Sequence, residues 1–274
     1  MTPDPLSDLD IAHLLADAAR AAILPWFRHP GLDAENKAGQ GAAARFDPVT
    51  VADRGAEQAM RALLATHRPE DAVLGEEFGA RPGTSGRTWV LDPIDGTRAF
   101  LSGAPTWGVL IALSDGTVGE SGPLLGVIDQ PYTGERFVGA PGVAALSGPF
   151  GTSALATRAT ARLADAILFS TFPEIGSADE MAGFRAVADQ VRLTRFGLDC
   201  YAYGLLAAGQ IDLVIEAGLN AYDIQAPMAV IASAGGIVTD WRGGPAAGGG
   251  RVLAAANRDL HAAALAVLAR VAQP

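Results

Sequence analysis

The chain has 274 residues, of which 49% are hydrophobic and 18% charged, enough to bury a large core as one large domain or two closely packed ones. Its net charge is −10 and it holds a single lysine, Lys37, with no Lys/Arg cluster, which argues against a nucleic-acid partner. No stretch approaches the roughly 20 apolar residues of a membrane span, and one cysteine, Cys200, excludes an intramolecular disulfide and suits a reducing, cytoplasmic setting.

From Leu6 to Phe27 apolar residues recur at helical spacing, with Ser7 or Asp8 placed to cap the start. Asp33–Phe46 is polar and Gly/Ala-rich and reads as a loop; Asp53–Thr66 is helical again, with Ala56, Ala59, Met60, Leu63 and Leu64 on one face. Ala72–Gly75 is a short strand, and Thr88–Leu91 a buried one that runs into Asp92-Pro93. Trp107–Leu113, Leu124–Ile128 and Glu135–Gly139 follow as strands, the last as a hairpin arm, and Ala140–Thr152 reads as a Gly/Pro/Ser/Ala-rich bridge. The second half alternates: strand Ala166–Ser170, helix Ala178–Ala188, strand Val191–Phe196, helix Cys200–Ala208, strand Ile211–Ile215, helix Ile224–Ala234. Such alternation predicts α/β layering, in two halves spanning residues 1–145 and 146–274.

Four segments place carboxylates at element ends beside Gly or Pro: Asp47–Asp53, Gly75–Gly79 with Glu76 and Glu77, Trp89–Thr97 with Asp92 and Asp95, and Glu216–Asp223. Strand ends and helix starts are where α/β proteins carry ligand groups. Hard divalent cations, Mg²⁺ above all, take a few carboxylates plus water and substrate phosphate. Each acid also has a plain reading: Asp53, Asp95 and Asp223 as helix caps, Glu77 as a solvated loop charge. The run Asp92-Pro93-Ile94-Asp95-Gly96-Thr97 goes further than capping needs. It puts two acids within one turn, stiffens the turn with Pro93 and opens a helix whose free N–H groups suit a phosphate. The histidines, His13, His29, His67 and His261, lie outside these segments, against a His-rich zinc site or a His nucleophile.

In order and spacing, Asp47–Asp53, Gly75-Glu76-Glu77, Asp92–Thr97 and Tyr222-Asp223 followed by Ala234-Gly235-Gly236 resemble the signatures of inositol monophosphatase-like phosphatases. Arg98-Ala99-Phe100, Ser102-Gly103, Pro105, Trp107-Gly108, Gly126–Tyr132, Gly134–Phe137 and Asp199–Tyr203 resemble the histidinol-phosphatase branch of that superfamily. Leu198 departs from the small residue usual there, and Gly39–Arg45 reads as an extended loop.

The resemblance implies an alternating α-β-α-β-α sandwich, a homodimer and two or three Mg²⁺ ions per site. Glu76, Asp92 and the Ile94 carbonyl would hold one ion; Asp92, Asp95 and Asp223 a second; a third, weaker ion would lie near Glu76. Asp53 and Thr97 would activate a water for direct attack on a small phosphomonoester, Gly96 and Thr97 N–H groups would bind phosphoryl oxygens, and Asp223 would serve the leaving oxygen. Arg98, Asp199 and Glu216 would face the substrate, the two acids suiting the cationic L-histidinol better than a neutral polyol. An inositol-1-phosphate or broad sugar-phosphate phosphatase, a 3′-phosphoadenosine nucleotidase and a non-catalytic scaffold are the other readings; the last predicts a lost ligand residue.

Overall fold

The computed structural model describes residues 6–36, 48–116, 118–119 and 122–271. The expectations placed on Asp47 and on Gly39–Arg45 lie outside the described residues. In chain order the elements are α1 (Asp8–Ile23), β1 (Ala34–Asn36), β2 (Pro48–Thr50), α2 (Val51–His67), β3 (Ala72–Gly75), β4 (Gly79–Arg81), β5 (Arg87–Asp95), α3 (Thr97–Ser102), β6 (Gly108–Asp115), β7 (Pro123–Gln130) and β8 (Glu135–Ala140). They continue as β9 (Val143–Gly148), β10 (Gly151–Ala154), β11 (Ile167–Ser170), α4 (Ala178–Ala188), β12 (Leu193–Phe196), α5 (Tyr201–Ala207), β13 (Leu213–Leu219), α6 (Ala221–Ser233), β14 (Ile237–Thr239), β15 (Gly250–Ala255) and α7 (Arg258–Val271).

Eight strands form one sheet in the order β10-β9-β8-β7-β6-β5-β3-β4, antiparallel except for the parallel pair β3–β5. Five form a second in the order β12-β11-β13-β15-β14, while β1 and β2 pair by themselves. Period-2 alternation sorts the side chains of β5 and β6 between two cores. Trp89, Leu91, Val109, Ile111 and Leu113 pack on Ile11, Leu15, Ala56, Met60 and Leu64 of α1 and α2. Val90, Leu110 and Ala112 point the other way, to Leu206 of α5, Ile224 and Val230 of α6, and Val214 and Val252 of the second sheet. The far face of that sheet, with Leu213, Ile215 and Leu253, is closed by Phe184 of α4 and by Leu260 and Leu268 of α7. The layers therefore run α-β-α-β-α, as the resemblance implied. Helix α6 lies so close to the first sheet that a Cβ on Gly126 would sit 2.4 Å from the Ala226 carbonyl oxygen.

Three stretches differ from the sequence reading. Asp33–Phe46, expected as loop, carries β1. The Ala140–Thr152 bridge is instead a hairpin, β9–β10, at the edge of the first sheet. Its residues are half-buried in β9 and exposed in β10, so no apolar alternation marks them as strands. Beyond Ala234 the sequence suggested no element, yet β14, β15 and α7 complete the second sheet and its outer layer.

Candidate active site

Strands β3 and β5 run parallel, and β3 ends at Gly75 opposite Leu91, so Glu76 follows it beside the last residues of β5. Asp92 and Asp95 would point to opposite faces of a regular strand. Between them the ladder shifts: Asp92 pairs with Leu110 and Asp95 with Gly108, three residues opposite two. That one-residue bulge turns both carboxylates to the same side, and Pro93, which has no N–H to donate, suits it. Asp223 arrives in the first turn of α6, and carboxylate oxygens of Asp92, Asp95 and Asp223 lie within 4.8 Å of one another.

These three residues line a cavity of about 310 Å³ together with Glu76, the Ile94 backbone region, Gly96, Thr97, Arg98, Asp199 and Glu216. The fold thus gathers every sequence-predicted site residue except Asp53 into the lining, and Asp53 reaches it through Thr97. Thr97 Oγ1 is 3.4 Å from Asp53 Oδ1 and 3.1 Å from the Ile94 carbonyl, so its hydroxyl proton has two acceptors. Asp53 Oδ2 meanwhile accepts from Thr50 N–H at 2.9 Å and Thr50 Oγ1 at 2.5 Å, a capping box at the start of α2. Asp53 is therefore a cap with one oxygen and a site residue with the other.

The charge balance is lopsided. Six carboxylates (Glu76, Asp92, Asp95, Asp199, Glu216, Asp223) face one basic lining residue among those described, Arg98. Burial first, then the charges of Glu76, Asp95 and Asp223, push Asp92 well above the usual carboxylate range. Burial and the charges of Asp199 and Asp223 do the same to Asp95, against the Cys200 N–H that donates to its Oδ2 at 2.6 Å. Burial carries Asp223 to about 7, although Asn220 N–H donates to its Oδ2 at 2.6 Å. Buried carboxylates without a counter-cation are held at the cost of protonation. A cluster of hard oxygen donors in that condition is the donor set that fits one or more divalent ions of the Mg²⁺ type.

At the outer wall, Asp199 adopts φ +48° and Gly96 φ +82°, and a Cβ on Gly96 would lie 2.8 Å from the Asp199 carboxyl carbon. Only glycine lets the two segments meet. Asp199 Oδ2 is within 3.4 Å of Thr106 Oγ1; burial raises its pKa to about 6, while that contact and the nearby Arg98 charge oppose the rise. Glu216 is buried, and burial lifts it to about 7. Both its oxygens accept from the protein itself: Oε1 from Thr171 N–H at 2.6 Å and Thr171 Oγ1 at 2.9 Å, Oε2 from Ser170 Oγ at 3.2 Å. Glu77 lies outside the lining, as its plain reading had it.

Sequence reasoning missed Thr171, Phe172, Asn220 and Tyr222 in the lining and Thr106 behind Asp199. Asn220 and Tyr222 precede Asp223 within its segment; Thr171 and Phe172 follow β11 in Thr171-Phe172-Pro173-Glu174-Ile175-Gly176, where an acid beside Pro and Gly was the signal that could have found them. It also missed Glu57, fully buried, which accepts from Glu77 N–H at 2.7 Å and Phe78 N–H at 3.2 Å and so shapes the turn that carries Glu76.

The family model of the inositol monophosphatase family matches residues 6–273. A chloroplastic bifunctional phosphatase, IMPL2, of Arabidopsis thaliana is 38% identical over 96% of this chain and 77% of its own length. A histidinol-phosphatase of Streptomyces coelicolor is 37% identical over 94% of this chain and 96% of its own. Among solved structures, an inositol monophosphatase from Zymomonas mobilis superposes with a TM-score of 0.81 at 41% identity, covering 96% of this chain and 97% of that one. The match spans both sheets and every strand end that carries a lining acid, and the chain is a phosphatase belonging to the inositol monophosphatase family.

Proposed function

We propose that the protein is a Mg²⁺-dependent phosphomonoesterase whose substrate is L-histidinol phosphate, acting in histidine biosynthesis by direct attack of water with no phosphoenzyme. The observation that carries the reading is the convergence of Asp92, Asp95 and Asp223 within 4.8 Å, in a cavity whose wall adds Asp199 and Glu216. Glu76, Asp92, the Ile94 carbonyl, Asp95 and Asp223 would hold two or three ions. Bound Mg²⁺ would offset phosphoryl charge and acidify water.

The chain's own residues supply the rest. Asp53, with burial raising it to about 6, is ionised at neutral pH and can take a proton passed through Thr97 Oγ1 from the attacking water. The Gly96 and Thr97 N–H groups at the start of α3 would meet the phosphoryl oxygens, and Arg98 beside them adds positive charge. Asp223 would lie near the departing oxygen. Asp199, beyond Gly96, gives the organic half of the substrate an acidic wall, which favours a cationic amine over a neutral polyol. The Streptomyces coelicolor relative supports this substrate; the Zymomonas mobilis neighbour supports the second reading, inositol 1-phosphate on the same scaffold.

The test is phosphate release from L-histidinol phosphate and myo-inositol 1-phosphate side by side, with an EDTA control. EDTA-sensitive preference for the first is expected. Equal rates would remove the substrate assignment and keep the metal-dependent hydrolysis; release untouched by EDTA would remove both.

A further inference from the structure

The cavity wall contains one feature that neither the acids nor the phosphate-binding turn requires. Phe172, in the segment between β11 and α4, lines the cavity and keeps 39% of its surface exposed. This exposed ring shares the wall with the acids and with Tyr222 and Leu219, and the segment that presents it is fastened on several sides. Glu216 takes Thr171 by both its N–H and its hydroxyl, and takes Ser170 by its hydroxyl. The Gly197 N–H is shared between the Ser170 and Thr171 carbonyls at 3.2 and 3.1 Å. Ser170 Oγ also reaches the Phe172 carbonyl at 3.5 Å. The Arg98 guanidinium carbon stands 5.1 Å from the centroid of the Phe172 ring, within cation–π range. What sets Phe172 apart from other exposed apolar side chains is its place in the cavity lining, where ligand pockets use aromatic walls.

We infer that Phe172 is a specificity-determining residue: its ring is the aromatic wall of the leaving-group subsite and packs against a flat nitrogen heterocycle, with Glu216 acting as the positioning residue that holds it there. This rests on the substrate reading above and deepens it. A substrate that carries an imidazole gains an offset or edge-to-face ring contact; a substrate with an acyclic polyol has no ring to offer. Both oxygens of Glu216 accept from the segment, Oε1 twice and Oε2 once, so Glu216 fixes where the Phe172 ring stands. Aromatic pairs contribute beyond their buried area, and the contact is formed with the bound substrate as well as in the transition state. It therefore belongs in KM rather than kcat.

The experiment compares steady-state kinetics of the full-length wild type, Phe172→Ala, Phe172→Leu and Phe172→Tyr on L-histidinol phosphate and on glycerol 2-phosphate, in Mg²⁺. Phe172→Ala and Phe172→Leu are expected to raise KM for L-histidinol phosphate about tenfold with kcat little changed. Both should leave glycerol 2-phosphate kinetics as they are, and Phe172→Tyr should restore the wild-type KM. Equal losses on both substrates would mean that the ring merely seats Arg98 against the phosphate, and would overturn the inference; unchanged kinetics on both would overturn it as well. A wild type that leaves L-histidinol phosphate intact while hydrolysing myo-inositol 1-phosphate overturns the substrate reading first, and this inference with it.

Discussion

Among the regions of this protein that bury carboxylates, two solve the problem in opposite ways. Under α1, Asp129 of β7 is fully buried between two arginines. Arg20 donates to it at 3.2 and 2.7 Å and Arg136, its cross-strand partner in β8, at 2.6 Å. Arg136 goes on to Asp17 at 2.6 Å and to His13 Nδ1 at 3.1 Å, where burial and the Arg136 charge push the imidazole pKa down. At the cavity, Asp92 is 2% exposed and its nearest charges are other acids. A buried charge needs a partner. Asp129 finds arginines within the chain and is architecture; Asp92, among the described residues, accepts from the Ile94 N–H at 3.1 Å and otherwise faces acids, which suits the cation proposed above. Burial alone does not separate a structural acid from a functional one, whereas the sign of the neighbouring charges does.

Substitutions at the two acids should break in different currencies. Asp92→Asn keeps the shape and removes the charge, so turnover should fall by at least about a thousandfold while the circular dichroism spectrum and melting temperature stay near wild type. Activity within about tenfold of wild type, roughly 1.4 kcal/mol of barrier, would count against its place at the centre of the metal site. Asp129→Asn should do the reverse. It leaves Arg20 and Arg136 with an amide between them and should lower unfolding free energy by about 3 kcal/mol, read by urea melts, with kcat per folded molecule preserved. A stable but inactive Asp129→Asn protein would erase the contrast.

Asp53 stands between the two cases, a helix cap with one oxygen and a partner of Thr97 with the other. Asp53→Asn should cost about a hundredfold in kcat and about 1 kcal/mol in stability through the weakened cap. Thr50→Ala, which removes one hydrogen bond to Asp53 Oδ2 and leaves Oδ1 facing Thr97, should show the stability loss with a much smaller loss of kcat. If the two variants lose kcat equally, the Thr97 relay is not the reason for the loss.

How much of this was visible in the sequence follows from the same distinction. Asp92 and Asp95 were legible because they sit beside Gly and Pro at a strand end, where packing has no use for them. Layering of helices on sheets was legible because apolar runs alternate with helical periods, and the five-layer order was what the family resemblance implied. The paired acid was not: Asp129 and Arg136 looked like marks of a branch of the family, and only the β7–β8 register shows that they neutralise each other. Glu216, expected to face the substrate, lines the cavity, and its hydrogen bonds go to Ser170 and Thr171, a long-range contact that no spacing encodes. The hairpin β9–β10 escaped because small, half-exposed residues carry no period, and Phe172 because a lone aromatic after a strand reads as core until its exposure is known.

The smallest expected effect tests the unpaired state directly. Raised carboxylates stabilise the fold in their protonated form, so their contribution is complete below the ordinary carboxylate range, near pH 4, and is lost as pH rises through the folded values. Those values are about 6 for Asp53 and Asp199 and about 7 for Glu216 and Asp223, each raised chiefly by burial. The metal-free protein should therefore lose stability between pH 5 and 8 on account of this cluster. Bound Mg²⁺ needs the ionised acids and replaces the protons, so the stabilisation it adds should grow over the same interval. The quantity to measure is the difference in melting temperature with saturating Mg²⁺ and with EDTA, at pH 6 and at pH 8, because groups remote from the cavity cancel in it. A gap wider by a few degrees at pH 8 is expected for the wild type, and a much smaller change for Asp92→Asn. A gap that is constant, or wider at pH 6, would mean that the six acids do not wait for a cation as the contrast with Asp129 requires.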